Sequence, residues 1–191
     1  GIYDVYLDGE KTDITIAQNG SNAASVVIEN VTTGGAPGSH THDGIAYTAI
    51  DQSFSGGALE GNIYLDRQVT LTSSVIVKNG KTLNLCLNGN TLSNSSSGAI
   101  EVESGGTLNL CDCGSGGKVA GGSYASIKNY GTTKISGGTM ISMYDNGIVN
   151  YSGEIYLSGL PIITSGSSYA SIYMSSGKLF ANDGNETQSY Y

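Results

Sequence analysis

The amino-acid sequence predicts an all-β fold: a right-handed single-stranded parallel β-helix with about 22–26 residues per coil and an irregular N-terminal cap region. Three observations predict it. The phrase Thr82-Leu83-Asn84-Leu85-Cys86 returns unchanged as Thr107-Leu108-Asn109-Leu110-Cys111, 25 positions later. The glycines that close the strand before each unit, Gly80, Gly105, Gly131, Gly153 and Gly177, lie 25, 26, 22 and 24 residues apart. Within a unit the apolar positions alternate, Leu83, Leu85 and Leu87 on one side and Thr82, Asn84 and Cys86 on the other, which is the strand period of two. Helical solenoids need longer units with a helical apolar face. The right hand is the general rule for parallel crossovers.

Taken in order, residues 1–60 read as N-terminal strands and an irregular cap region, 61–181 as coils, and 182–191 as a polar tail. Three short strands are expected at the start, Tyr3 to Leu7, Asp13 to Ala17 and Ser25 to Val31, with Asp8-Gly9 and Asn19-Gly20 as turns. They form either a cap over the exposed end of the helix or earlier coils. Residues 34–60 carry the least regular pattern. From Gly61 the coils begin with Ile63-Tyr64-Leu65 and Val69-Thr70-Leu71, pass through the repeated phrase, and end at Lys178-Leu179-Phe180. A second echo, Ser123-Tyr124-Ala125-Ser126-Ile127 against Ser168-Tyr169-Ala170-Ser171-Ile172, spans 45 residues, about two coils.

Composition narrows the function. A chain of 191 residues is one domain or slightly more, and 38% hydrophobic residues suits the thin core of a solenoid. The net charge of −8, with Arg67 the sole arginine, argues against nucleic acid or anionic lipid as partner. No apolar run of about 18 residues exists to span a membrane. The chain begins at Gly1 rather than Met, which reads as a trimmed segment whose targeting segments were cut away.

The segment His40-Thr41-His42-Asp43-Gly44, then Gly61-Asn62-Ile63-Tyr64-Leu65, Val69-Thr70-Leu71 and Leu83-Asn84-Leu85-Cys86-Leu87-Asn88-Gly89, resembles a β-helix module of large surface proteins of anaerobic, often gut-dwelling, Gram-positive bacteria. Ser136-Gly137-Gly138-Thr139 is similar to the glycine-rich phrases of their later coils. The resemblance covers roughly residues 40–180. It implies a pectate-lyase-like right-handed β-helix, secreted or displayed on a bacterial cell surface, and it implies no substrate.

No catalytic residues are assigned. A calcium-dependent lyase site needs clustered carboxylates and a base, and a hydrolase site needs paired Asp residues. The sequence shows no Asp-Asp pair, and Arg67 sits early, beside Asp66. The coil charges have a structural reading: aligned corners place Lys78 beside Glu103 and Glu101 near Lys128.

The metal candidates are His40, His42 and Asp43. In an extended segment both imidazoles project to one side and could share an ion. A third and a fourth ligand are not identifiable from spacing, so a solvated loop or a cap contact is the competing reading. Cys86 and Cys111 occupy equivalent points of adjacent coils, as two stacked thiols or as a bridge in which Cys113 could replace Cys111. Cys111-Asp112-Cys113 with Cys86 offers too few ligands, wrongly spaced, for zinc. Asp4, Asp8, Glu10 and Asp13 could attract Ca²⁺, although such a run is more often a hydrated face. No other cofactor is expected.

Of thirteen tyrosines, seven fall between residues 120 and 175, and Tyr130 and Tyr151 hold matching places, as do Tyr124 and Tyr169. A row of phenol rings could stack on sugars, with Asn129 and Asn150 bonding the hydroxyls. Tyrosine is equally a favoured strand residue that stabilises sheets. The sequence therefore points to a non-catalytic extracellular module for adhesion or glycan binding, on a polysaccharide or a host or cell-surface glycan. The competing readings are a polysaccharide lyase or hydrolase and a purely structural stalk.

Overall fold

The computed structural model describes residues 2–7, 10–17, 40–166, 169–182 and 187–190. Its contacts divide the chain into two units, Gly1–Ser39 and His40–Tyr191. In the first, β1 (Ile2–Leu7) and β2 (Glu10–Ala17) pair antiparallel, from Ile2 opposite Ala17 to Leu7 opposite Glu10. These are the first two strands expected there. The third, Ser25–Val31, and the turns Asp8-Gly9 and Asn19-Gly20 lie outside the described residues.

The second unit opens with an antiparallel hairpin, β3 (His40–His42) and β4 (Ile45–Ala49). Its turn residues Asp43 and Gly44 have φ of 51° and 76°. Asp-Gly tolerates two successive left-handed conformations, and the resulting turn matches the right-handed twist of the strands it joins. A short β5 (Gly57–Ala58) follows.

Five coils then wind in the order β6 (Gly61–Tyr64), β7 (Val69–Thr70), β8 (Val75–Val77); β9 (Thr82–Cys86), β10 (Thr91–Asn94), β11 (Ile100–Val102); β12 (Thr107–Cys111), β13 (Lys118–Gly121), β14 (Ile127–Asn129); β15 (Thr132–Ile135), β16 (Thr139–Ser142), β17 (Ile148–Asn150); β18 (Glu154–Leu157), β19 (Ile162–Thr164), β20 (Ile172–Met174). β21 (Lys178–Asn182) starts a further turn, and β22 (Thr187–Tyr190) folds back antiparallel on it. Three sheets result. The first face runs β6-β9-β12-β15-β18-β21, the second β7-β10-β13-β16-β19, and the third β5-β8-β11-β14-β17-β20. All pairings between coils are parallel, and Leu83 lies opposite Leu108 as the repeat requires. The fold class is the β-solenoid the sequence predicts.

Alternation along each strand drives the core. Leu83, Leu85, Leu108, Leu110, Ile135 and Ile155 of the first face point inward, meeting Leu92, Val119 and Met140 of the second and Val75, Ile100, Ile127 and Ile148 of the third. Each fully buried aliphatic contributes about 1.5–3 kcal/mol, repeated from coil to coil. The interior turns polar in the later coils. Asn129 is 0% exposed, donates to Asn150 Oδ1 (2.7 Å) and accepts from Thr133 Oγ1 (2.8 Å).

The corner glycines serve two different ends. Gly80 is left-handed (φ 71°) with open space where a side chain would project. Gly153 is not left-handed; a Cβ there would run into the Gly131 carbonyl of the preceding coil.

Strand pairing reaches upstream of Gly61 within the unit His40–Tyr191: β4 pairs with β6 and β5 with β8. The polar tail supplies β22. No helix of the described residues is long and apolar enough to cross a membrane.

Candidate metal centre

Outward positions of the first face carry a column formed by Tyr64, Cys86 and Cys111, which are register partners on β6, β9 and β12. In a bare solenoid these side chains would meet water. Here the β3–β4 hairpin lies over them. β4 continues the first face through Thr48 opposite Ile63 and Ala49 opposite Tyr64. The His40 ring stacks on Tyr64, with centroids 4.6 Å apart and planes at 15°. His40 and His42 are half-buried and Thr41 is exposed, so the two imidazoles do project to one side. Cys86 is buried by this cover, while Cys113 is exposed.

Two neighbouring side chains fix the approach of Cys113. Asp112 accepts from Gly89 N–H (2.7 Å) and Gly117 N–H (2.9 Å), closing the loop after β12. Its carboxylate is thus occupied in holding the turn. The Cys113 thiol donates to Asn88 Oδ1 (3.6 Å), and Asn88, itself left-handed (φ 48°), donates to the Leu65 carbonyl (3.2 Å).

One group of ligand atoms results. His40 Nε2, His42 Nε2, Cys86 Sγ and Cys113 Sγ all lie within 4.8 Å of one another. The two Nε2 atoms are 2.7 Å apart, the two Sγ atoms 3.3 Å, and Cys113 Sγ is 3.5 Å from His40 Nε2. A tetrahedral zinc ion, with bonds of about 2.0–2.1 Å to nitrogen and 2.3 Å to sulfur, sets ligand atoms roughly 3.3 Å (N–N), 3.6 Å (N–S) and 3.8 Å (S–S) apart. The two like pairs match this after an outward shift of about half an ångström, and the His40–Cys113 pair matches as it stands. Cys111 stands beside it, its Sγ 4.0 Å from His42 Nε2.

Hydrogen bonding from Cys111, with help from Cys113 and His42, lowers the Cys86 thiol below its ordinary value. The hydrogen bond to Cys86, together with burial, pushes Cys111 up. Burial first, and then Cys86, pushes Cys113 up to about 11. Burial and the Cys111, Cys86 and Asp43 charges raise the Tyr47 phenol. A divalent ion would displace the thiol protons and neutralise two thiolates.

The structure therefore joins two groups of residues that the sequence left apart. His40 and His42 are in the cluster. Asp43 is not; it forms the hairpin turn and lines a neighbouring cleft. Once the hairpin lies over the first face, His40 and His42 add two ligand atoms to those of Cys86 and Cys113, which the cysteine spacing alone does not supply. All three cysteines are free. The cleft, ≈ 390 Å³, runs between the hairpin (His42, Asp43, Tyr47) and outer-face residues that include Asn109, Cys111, Lys134, Ser136 and Ser158.

The residues expected to meet a glycan fare differently. Tyr130 and Tyr151 stack on each other, 4.7 Å between centroids at 7°, so each ring occupies one face of its neighbour. Tyr124 and Tyr169 are both 51% exposed, and the Lys128 ammonium lies 4.3 Å from the Tyr124 ring centroid. Asn129 and Asn150 are buried in the interior ladder and reach no surface ligand. The expected Lys78–Glu103 ion pair is present at 2.6 Å, and Glu101 lies opposite Lys128.

Fold and cluster together define a β-solenoid with a candidate His₂Cys₂ metal centre on its outer face. Comparison with protein-family models, with curated proteins and with solved structures finds no match in any of the three.

Proposed function

We propose that this chain is a non-catalytic binding module of an exported bacterial surface protein, whose β3–β4 hairpin is clamped onto the solenoid by one zinc ion. The observation that carries this reading is the convergence of His40, His42, Cys86 and Cys113, four ligand atoms from three separate segments, within 4.8 Å. Two thiolates and two imidazoles suit zinc, and four protein ligands leave no coordination position open for a substrate, which marks a structural role. A Cys86–Cys113 bridge would not account for two imidazoles turned toward the same point. The ion ties β3 to β9 and to the loop after β12, covering an otherwise exposed column at the end of the solenoid. The ligand class we assign is a glycan, met by a rigid surface rich in hydroxyl, amide and phenol groups.

The test is metal content after exhaustive dialysis. Wild-type protein retains about one zinc per chain, and Cys86→Ser/Cys113→Ser retains none. A wild-type chain that emerges metal-free from zinc-containing buffer refutes the clamp.

A further inference from the structure

We propose that the cleft between the hairpin and the first face binds a neutral terminal sugar of a glycan. The inference rests on the binding-module reading and gives it a location. At ≈ 390 Å³ the cleft lies at the small end of ligand pockets, which span roughly 300–1,000 Å³, a size for a sugar residue or two rather than a chain.

Its lining identifies the ligand. Asp43 offers an acceptor, Lys134 a donor, and Ser136 and Ser158 hydroxyls that do both. Tyr47 adds an aromatic wall, its ring set edge-on to His42 at 4.8 Å. A site with charges of both signs facing one space is poorly matched to an anion or a cation alone. Vicinal sugar hydroxyls donate and accept at once and satisfy both. Lys134 makes no ion pair among the described residues; its ammonium lies 5.7 Å from the Tyr156 ring centroid, and its side chain is exposed. The tyrosine column is a weaker receptor, since Tyr130 and Tyr151 cover each other's faces and Asn129 and Asn150 are buried.

The geometry also couples the cleft to the metal. His42 lines the cleft and belongs to the ligand cluster, and Asp43 and Tyr47 belong to the same hairpin. Loss of the ion frees β3 and with it one wall.

Saturation-transfer NMR with the methyl glycosides of glucose, galactose, mannose, xylose, N-acetylglucosamine and glucuronic acid, on zinc-loaded full chain, tests this. At least one neutral glycoside binds. Lys134→Met weakens it tenfold or more, as loss of a charge-assisted hydrogen bond should. Asp43→Asn, which keeps a residue tolerant of the left-handed turn, also weakens it. Lys128→Met, outside the cleft, changes nothing, and chelation of the metal abolishes binding. The proposal is overturned if no neutral glycoside binds, if only the glucuronide does, or if binding survives Lys134→Met and Asp43→Asn. Equal binding before and after chelation refutes the coupling. Zinc content measured on the same samples separates the two readings: a metal-free chain whose sugar binding still falls with Lys134→Met loses the clamp and keeps the cleft.

Discussion

Replacing Asn129 by Ala should cost about 4 kcal/mol, although the change removes only a small polar side chain. Asn129 is 0% exposed and its amide donates to Asn150 Oδ1 (2.7 Å) and to the Gly131 and Glu154 carbonyls (3.2 Å each). Its Oδ1 accepts from the buried Thr133 hydroxyl at 2.8 Å. Truncation leaves the Thr133 hydroxyl and the Asn150 amide oxygen without these partners, both on residues that are 0% exposed. Each such orphan costs roughly 1–3 kcal/mol, which gives the figure above and consumes a large part of a typical 5–15 kcal/mol stability. Urea denaturation followed by far-UV circular dichroism measures it as a shift in midpoint at unchanged slope. Thr133→Val in the Asn129→Ala background should recover part of the loss, because it removes one orphan, and the cycle isolates that coupling. A loss below about 1 kcal/mol, the range of a solvated surface residue, refutes the interior ladder.

Other expectations follow from the same packing. Leu108→Ala, in the fully buried first-face column, should lower stability by about 2–5 kcal/mol in the same assay, whereas Lys78→Ala, in an exposed ion pair, should barely register. Hydrogen bonds from Lys78 and then from Asn79 N–H hold the Glu103 carboxyl below its ordinary value. A depressed folded value stabilises above the unfolded value of about 4.3 and is lost as pH falls through the folded one; the small advantage in urea midpoint that wild type holds over Glu103→Gln at pH 7 should therefore narrow on acidification. Gly153→Ala should destabilise more than Gly80→Ala, since the first drives a Cβ into the Gly131 carbonyl and the second costs only left-handed strain, and thermal midpoints order the two.

The coils were legible because identical letters recur where strands stack: Thr107–Cys111 lies in register on Thr82–Cys86. The second face was less so. Its strands each bury one large apolar side chain, Leu92, Val119 or Met140, followed by Asn94, Gly121 or Ser142, too short a pattern for a period to emerge. Asn129 and Asn150 were read as surface groups because Asn beside Tyr at a strand end looks solvated. Register with inward Val77 and Val102 was the available signal that they face the core. Of the candidate ligand cluster, His40 and His42 were visible as a pair and Cys86 as part of the repeated phrase, whereas Cys113 comes from the loop after β12. Their union depends on the hairpin folding back across the outer face, a long-range placement that no local pattern encodes.

X-ray absorption at the zinc edge tests the central claim most directly. The account predicts a first shell of two sulfurs at about 2.3 Å and two nitrogens at about 2.0 Å, with the imidazole outer-shell scattering lost in His40→Ala/His42→Ala. A shell of oxygens alone, or one unchanged by removing both histidines, would contradict it.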